Sequence, residues 1–379
     1  MFRGSLLVVL LAMGCGDAAG TPDAAPDASP TAAARLAGTW AATSGAAFKN
    51  IGELRFAVFT AEGAGSLYVR SSSGIKAELP ALYALLDERV LTIATTRDGG
   101  DQSEFFRYAF PDDNTLELTN IVGETQRLTR ADAIGDAAPK TLTLRTYDLE
   151  EQYKPQYWSG LVGDATGLWF SFEGGYRHFV PENPAESTTR AYAGTTGQYE
   201  YISAIEGTAF WLTCGCGNNA YMSRYNEAWS QTGGFDLGDE PISTLLSISG
   251  AFWDGTHLWV GGYSYTHTDQ RLLKLDVSSS ASVVQTIELE TPSMAGFVFK
   301  EGHLFAISYF LDEQTIVELD PVTGAVVETY ALPEDLRTSQ IRGLGVYGGE
   351  VYTLAVYDGG DSDLRAMELP PRVAKLSGL

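Results

Sequence analysis

The chain has 379 residues, 44% of them hydrophobic and 11% aromatic, which supports well-packed globular structure and exceeds what one ordinary core holds. Its 48 acidic residues against 25 basic give a net charge of −23, a field that repels phosphate backbones and anionic headgroups. Nucleic-acid binding and attachment to a membrane through a basic patch are therefore excluded from the expected functions.

Met1-Phe2-Arg3 opens the chain with a positive charge, and residues 6–11 form an apolar run. That run is too short to cross a hydrocarbon core of roughly 30 Å as a helix, so it reads as an export signal. Residues 1–15 end in Ala12-Met13-Gly14-Cys15, which resembles the lipobox of bacterial lipoproteins, although Ala12 stands where that family prefers leucine. The resemblance implies lipid attachment at Cys15 and a lipid-anchored place in the bacterial cell envelope, periplasmic or on the surface. An ordinary signal cut after Gly20 is the alternative. Residues 16–35 are Ala, Asp and Pro without periodicity, a composition that buries too little apolar surface to order itself and so reads as a tether.

Residues 36–132 carry strand patterns at 54–59, 66–69, 90–95, 104–110 and 115–119, separated by Gly, Asp and Asn turns. Only 78–86 hints at a helix, limited by Pro80. Leu36-Ala37-Gly38-Thr39-Trp40, the stretch 83–93, and 114–119 closing on Arg127-Leu128-Thr129-Arg130 resemble lipocalin-like domains. That resemblance implies a small barrel in which Trp40 plugs the closed end and packs against Arg127 or Arg130. A barrel of about eight strands holds one small apolar ligand or fills its interior with side chains, and the second is expected for so compact a version.

Residues 141–379 repeat. An apolar–aromatic pair opens a strand at Leu168-Trp169, Phe210-Trp211, Leu258-Trp259, Leu304-Phe305 and Val351-Tyr352, at steps of 42, 48, 46 and 47 residues. Such a period, with four short strand patterns per unit, predicts a β-propeller. Five blades are expected and six are the alternative. The whole is thus all-β, a lipocalin-like barrel followed by a propeller. The last unit reaches only a third strand, at 364–369, and the strand pattern at 141–149 is expected to supply the missing outer strand and close the ring.

The innermost strands read small and apolar, without the paired carboxylates that general acid–base catalysis needs. The loops joining second and third strands of the blades fall on one rim and carry Tyr176, Tyr263, Tyr265, His267, Tyr309 and Tyr357, a composition suited to glycan, peptide or other small-ligand recognition. Cys214 and Cys216 are expected to form a disulfide across Gly215, with thiolate metal capture as the alternative. Asp358, Asp361 and Asp363 are candidate Ca²⁺ ligands in a turn that reads more readily as a solvated acidic loop. His257 and His303 occupy one repeat slot and read as turn residues. The expected protein is a monomer without cofactor that binds a ligand or partner on the rim. A propeller hydrolase or lyase acting on a glycan, and a purely structural envelope protein, are the alternatives.

Overall fold

The computed structural model describes residues 31–379 except 46–47, 49–50, 98–99, 150–159, 173–174, 192–199, 215–220, 238–246, 264–269, 280, 291–293, 311–312, 334–335, 337–338 and 358–370. A short helix, α1 (Ala32–Leu36), is capped by the Thr31 hydroxyl, which accepts from the Ala34 N–H. Eight strands follow as a closed barrel: β1 (Gly38–Gly45), β2 (Glu53–Phe59), β3 (Ala64–Arg70), β4 (Lys76–Leu85), β5 (Val90–Arg97), β6 (Gly100–Asp112), β7 (Thr115–Asn120) and β8 (Thr125–Ala131). Consecutive strands pair antiparallel, and β8 returns to pair with β1, so no edge is left unpaired around the ring.

The helix expected near 78–86 is instead part of β4. Leu79, Ala81 and Tyr83 face the core while Pro80, Leu82 and Ala84 face out, a period of two that a helix cannot satisfy. Pro80 stands just outside the ladder with β5, which begins at Ala81, where its missing N–H is tolerated.

Trp40 is fully buried at the helix-capped end and its Nε1 donates to the Leu36 carbonyl at 2.7 Å. Of the two basic residues implied by the resemblance, Arg130 is its partner, with the guanidinium 4.4 Å from the ring centroid and donating to the Asp113 and Ala37 carbonyls. Arg127 lies instead 4.0 Å from Glu117 and is half exposed. Phe48 and Ile51 fold into the opposite end, where Phe48 stacks on Phe106 at 4.8 Å. The void between Phe48, Ile51 and Phe106 is about 10 Å³, at the limit of one water, so side chains fill the barrel on that side, while the other side of Phe48 borders an open groove against Gly52 and Leu54.

The second unit is a five-bladed propeller. Blade 1 comprises β11 (Leu161–Gly163), β12 (Leu168–Phe172), β13 (Gly175–Phe179) and β14 (Thr188–Ala191). Blade 2 comprises β15 (Glu200–Glu206), β16 (Ala209–Cys214), β17 (Tyr221–Tyr225) and β18 (Gln231–Asp236). Blade 3 comprises β19 (Ser247–Trp253), β20 (Leu258–Tyr263), β21 (Gln270–Asp276) and β22 (Ser282–Leu289). Blade 4 comprises β23 (Met294–Lys300), β24 (His303–Phe310), β25 (Glu313–Leu319) and β26 (Val326–Ala331). Blade 5 comprises β27 (Ser339–Tyr347), β28 (Glu350–Tyr357) and β29 (Arg372–Ser377), and its outer strand is β10 (Thr143–Asp148). The third strand of blade 5 is therefore 372–377; the expected stretch 364–369 lies outside the described residues. The expected closure holds, because β10 pairs with β29 along all six of its residues.

The periodic aromatics explain the repeat. Trp169, Trp211, Trp259, Phe305 and Tyr352 are all buried on second strands, between blades. In blades 1 to 3 an acid from the preceding turn accepts the indole N–H: Asp164 at 3.1 Å, Glu206 at 3.0 Å and Asp254 at 2.7 Å. These three turn acids thus anchor the core. Burial pushes the Asp254 carboxyl up, but hydrogen bonds from Trp259, His257 and Thr256, with Lys274 nearby, outweigh it and leave the group below its ordinary value.

Barrel and propeller meet at the β3–β4 turn. Ile75 is fully buried in the cluster that holds Ile287 and Leu289 of blade 3, and the Lys76 N–H donates to the Thr329 hydroxyl. Glu328 accepts from Lys76 at 2.9 Å and lies 3.2 Å from Lys140, while β9 (Lys140–Thr141) adds a parallel strand to β26. Burial raises the Glu328 pKa, yet its bonds to Lys76, the Thr329 N–H and Lys140 outweigh this and lower it from 4.5. A lowered carboxyl stabilises the fold above its unfolded value and loses that contribution as pH falls through the folded one. Glu328→Gln is therefore expected to cost roughly 1–3 kcal/mol in urea unfolding at neutral pH. The gap from the parent should close in acid, where Glu328 is protonated; a gap independent of pH would contradict the assignment.

Candidate ligand site in the propeller channel

The five inner strands adjoin in ring order, blade 5 against blade 1, and small residues let them approach. In blades 2 to 5 the register with the second strand shifts at one place: between Ile202 and Ala204, Ile248 and Gly250, Ala295 and Val298, and Ile341 and Leu344. Each shift places one extra residue on the inner strand, a bulge that bends it at this level. Glycine stands at this level in four blades, at Gly160, Gly250, Gly296 and Gly343. A Cβ on Gly296 would lie 2.6 Å from the Gly343 Cα, and one on Gly343 would lie 2.7 Å from the Leu161 N, so backbone meets backbone around a collar. Gly296 and Gly343 also hold φ of 58° and 95°, a conformation other residues adopt only under strain.

A cavity of about 120 Å³ sits at this collar. Its walls come from the beginnings of inner strands and the ends of second strands, which places it at the rim bearing the second-to-third-strand loops. Ser203, Thr213, Ser249 and Tyr309 give it hydroxyls, and Leu161, Ile248, Phe297, Ile341 and Leu344 give it apolar surface. Ser203 and Thr213 bond to one another at 2.9 Å. The buried Gln270 amide donates to the Ser249 Oγ at 3.0 Å and also to the Met294 carbonyl, while its oxygen accepts from the Met294 N–H at 2.6 Å. The Ser171 hydroxyl likewise accepts from the Ile202 N–H, and the Gln314 amide oxygen from the Ile341 N–H. A polar side chain of one blade thus fixes the inner strand of the next at three junctions. Sequence reasoning passed over these residues. Only Ser171 stands out in its strand, as one polar residue among apolar ones; Gln270 and Gln314 have polar neighbours in Arg271, Glu313 and Thr315, so their own segments do not mark them.

Tyr309 is the one rim candidate that lines this cavity among the described side chains, and it is 39% exposed. Tyr176 does not reach the rim surface. It is fully buried with its ring stacked on Trp229 at 4.5 Å, so it belongs to the core between blades 1 and 2. Tyr263 and Tyr357 end β20 and β28, but their side chains lie outside the described residues, as do Tyr265, His267, Cys15, Cys216, Asp358, Asp361, Asp363 and the Cys214 side chain. The paired histidines sit at the opposite, turn end of their blades and bind within them. His303 Nδ1 is 2.6 Å from Glu318, which also accepts from the Tyr330 hydroxyl, and His257 Nδ1 is 3.7 Å from Asp254. A second, open groove of about 430 Å³ lies in the barrel where β1 and β2 part beyond Ala41 and Phe56, flanked by the Glu53–Arg55 pair.

No protein family model and no curated relative matches this chain in sequence. Among solved structures, glutaminyl cyclase of Myxococcus xanthus aligns over 63% of this chain and 97% of its own, at 13% identity and a TM-score of 0.44. The exo-β-1,3-galactanase of Phanerochaete chrysosporium, solved with β-1,3-galactotriose, aligns over 61% of this chain and 64% of its own, at 12% identity and a TM-score of 0.41. The PQQ-bound aldose sugar dehydrogenase of Streptomyces coelicolor aligns over 63% and 100%, at 11% identity and a TM-score of 0.36. At such identities and TM-scores these likenesses assign no activity.

Proposed function

We propose that this chain is an exported protein of the bacterial cell envelope, held on a membrane through lipid at Cys15, that binds a ligand at the channel mouth of its propeller. The observation that carries the reading is the cavity walled by Ser203, Thr213, Ser249 and Tyr309 at the rim end of the channel. Hydroxyls set among apolar walls are the chemistry of a small recognition pocket. Its volume is below the roughly 300 Å³ at the small end of ligand pockets, so it receives one end of a ligand whose remainder lies on the rim. The barrel, filled between Phe48, Ile51 and Phe106 and joined to blade 4 through β9 and Lys76, serves as a spacer between tether and propeller. The protein acts as a single copy without a cofactor.

The test is binding of a neutral and acidic glycan set and a peptide set by the full chain, compared with Tyr309→Ala. At least one class is expected to bind, and loss of the partly exposed ring is expected to weaken it by roughly 10-fold or more, as for an aromatic anchor truncated in an interface. Binding that Tyr309→Ala leaves unchanged would move the site elsewhere. Mass spectrometry of the mature N-terminus tests the anchor: a diacylated Cys15 is expected, and an unmodified Thr21 start would contradict it.

A further inference from the structure

Four features of the channel cavity restrict what can enter it. It lies on the rim side of the glycine collar, where Gly160, Gly250, Gly296 and Gly343 bring backbone against backbone, so its occupant arrives from the rim. None of the described lining side chains is charged, and a charged group moved into such surroundings loses its hydration without a partner. An anionic group is opposed further by the chain's net charge of −23. The lining is also uneven. The aliphatic hydroxyls Ser203, Thr213 and Ser249 all come from blades 2 and 3, which add Ile248, whereas blades 1, 4 and 5 bring Leu161, Phe297, Ile341 and Leu344 beside the Tyr309 hydroxyl. Ser249 is the best-defined donor: its oxygen accepts from the Gln270 amide, which leaves its own O–H to turn toward a ligand.

From these we infer that the cavity takes the uncharged terminal sugar ring of a neutral saccharide. A pyranose matches both kinds of lining, because its hydroxyls lie along an edge and its C–H groups form an apolar face. The edge meets Ser249 and the Ser203–Thr213 pair, the face meets Leu161, Phe297 and Ile341, and Tyr309 flanks the mouth. At about 120 Å³, the space of roughly four waters at about 30 Å³ each, the cavity takes the leading edge of one terminal ring and no more of the chain. The inference rests on the channel mouth being the binding site, and it adds the class of ligand.

Isothermal titration of the full chain with neutral methyl hexopyranosides, the corresponding methyl hexopyranosiduronic acids with free carboxylates, neutral oligosaccharides and a peptide set tests it. A neutral methyl glycoside is expected to bind and to compete with a neutral oligosaccharide. Ser249→Ala and Thr213→Val are each expected to weaken it by roughly 2- to 12-fold, the loss of one hydrogen bond. Thermal melts of the two variants establish that they remain folded, and the comparison of neutral and acidic probes on the unaltered chain needs no variant. A hexuronate that binds as tightly as the neutral glycoside would overturn the inference. So would a ligand whose binding falls on Tyr309→Ala yet is untouched by both hydroxyl variants, a result that leaves the channel-mouth site standing. Binding of no saccharide alongside binding of a peptide would overturn the sugar assignment alone, and binding of no probe would overturn both.

Discussion

Gly343→Val is expected to destabilise the protein by roughly 2–6 kcal/mol, combining about 1–3 for overpacking with about 1–3 for a non-glycine residue held at positive φ. The site leaves little room for relief. A Cβ there meets the Leu161 N at 2.7 Å and the Gly160 Cα at 3.1 Å, both backbone atoms of the neighbouring blade. Backbone of a closed ring cannot step aside as a surface side chain can, and a β-branched residue has the fewest conformations at φ of 95°. Gly348→Ala is the control. Its φ is 59° and nothing lies within 4 Å of the added Cβ, so only backbone strain of about 1–2 kcal/mol applies. Urea midpoints of the two variants at matched slopes separate clash from strain. Equal losses would mean that the collar is looser than its contacts imply.

Trp40→Ala is expected to cost roughly 3–5 kcal/mol, the range for removing a large buried aromatic. The indole is fully buried, donates to Leu36 at 2.7 Å and lies under the Arg130 guanidinium, which itself ties α1 and the β6–β7 turn through the Ala37 and Asp113 carbonyls. Its removal therefore empties the barrel's capped end and frees the helix that closes it. Arg127→Ala should cost less than about 1 kcal/mol, since that residue is half exposed and its acid lies at 4.0 Å. Calorimetry distinguishes the two arginines directly: Arg130→Ala should lower the melting temperature well beyond Arg127→Ala.

The repeat of aromatics was legible in the sequence because each fills the same inter-blade space, and a shared space imposes a shared spacing. Trp40 was legible through the resemblance of the stretch from Leu36 to Trp40 to lipocalin-like domains. The ring closure by 141–149 followed from counting strands, since an open blade would expose an edge. What escaped reading was set by partners distant in sequence. Nothing in the residues beside Gly343 marks the collar, for Gly160 and Gly343 matter only because blades 1 and 5 meet. Tyr176 reads as a rim residue by position, yet Trp229 of the adjacent blade covers it. Residues 78–86 hinted at a helix that Pro80 limits, because Leu82 and Ala84 on the outer face are as apolar as Leu79 and Ala81 on the inner one and hide the alternation. The cavity itself is assembled from all five blades, so no single segment announces it.

The central claim is that a ligand seats in the channel at the rim, and hydrogen exchange of the full chain with and without a bound saccharide tests it most directly. Protection is predicted at the inner-strand segments that wall the cavity, around Leu161, Ser249–Ala251, Ala295–Phe297 and Ile341–Leu344, with the barrel strands unchanged. Protection confined to β1 and β2 of the barrel, beside the groove near Glu53 and Arg55, would contradict it.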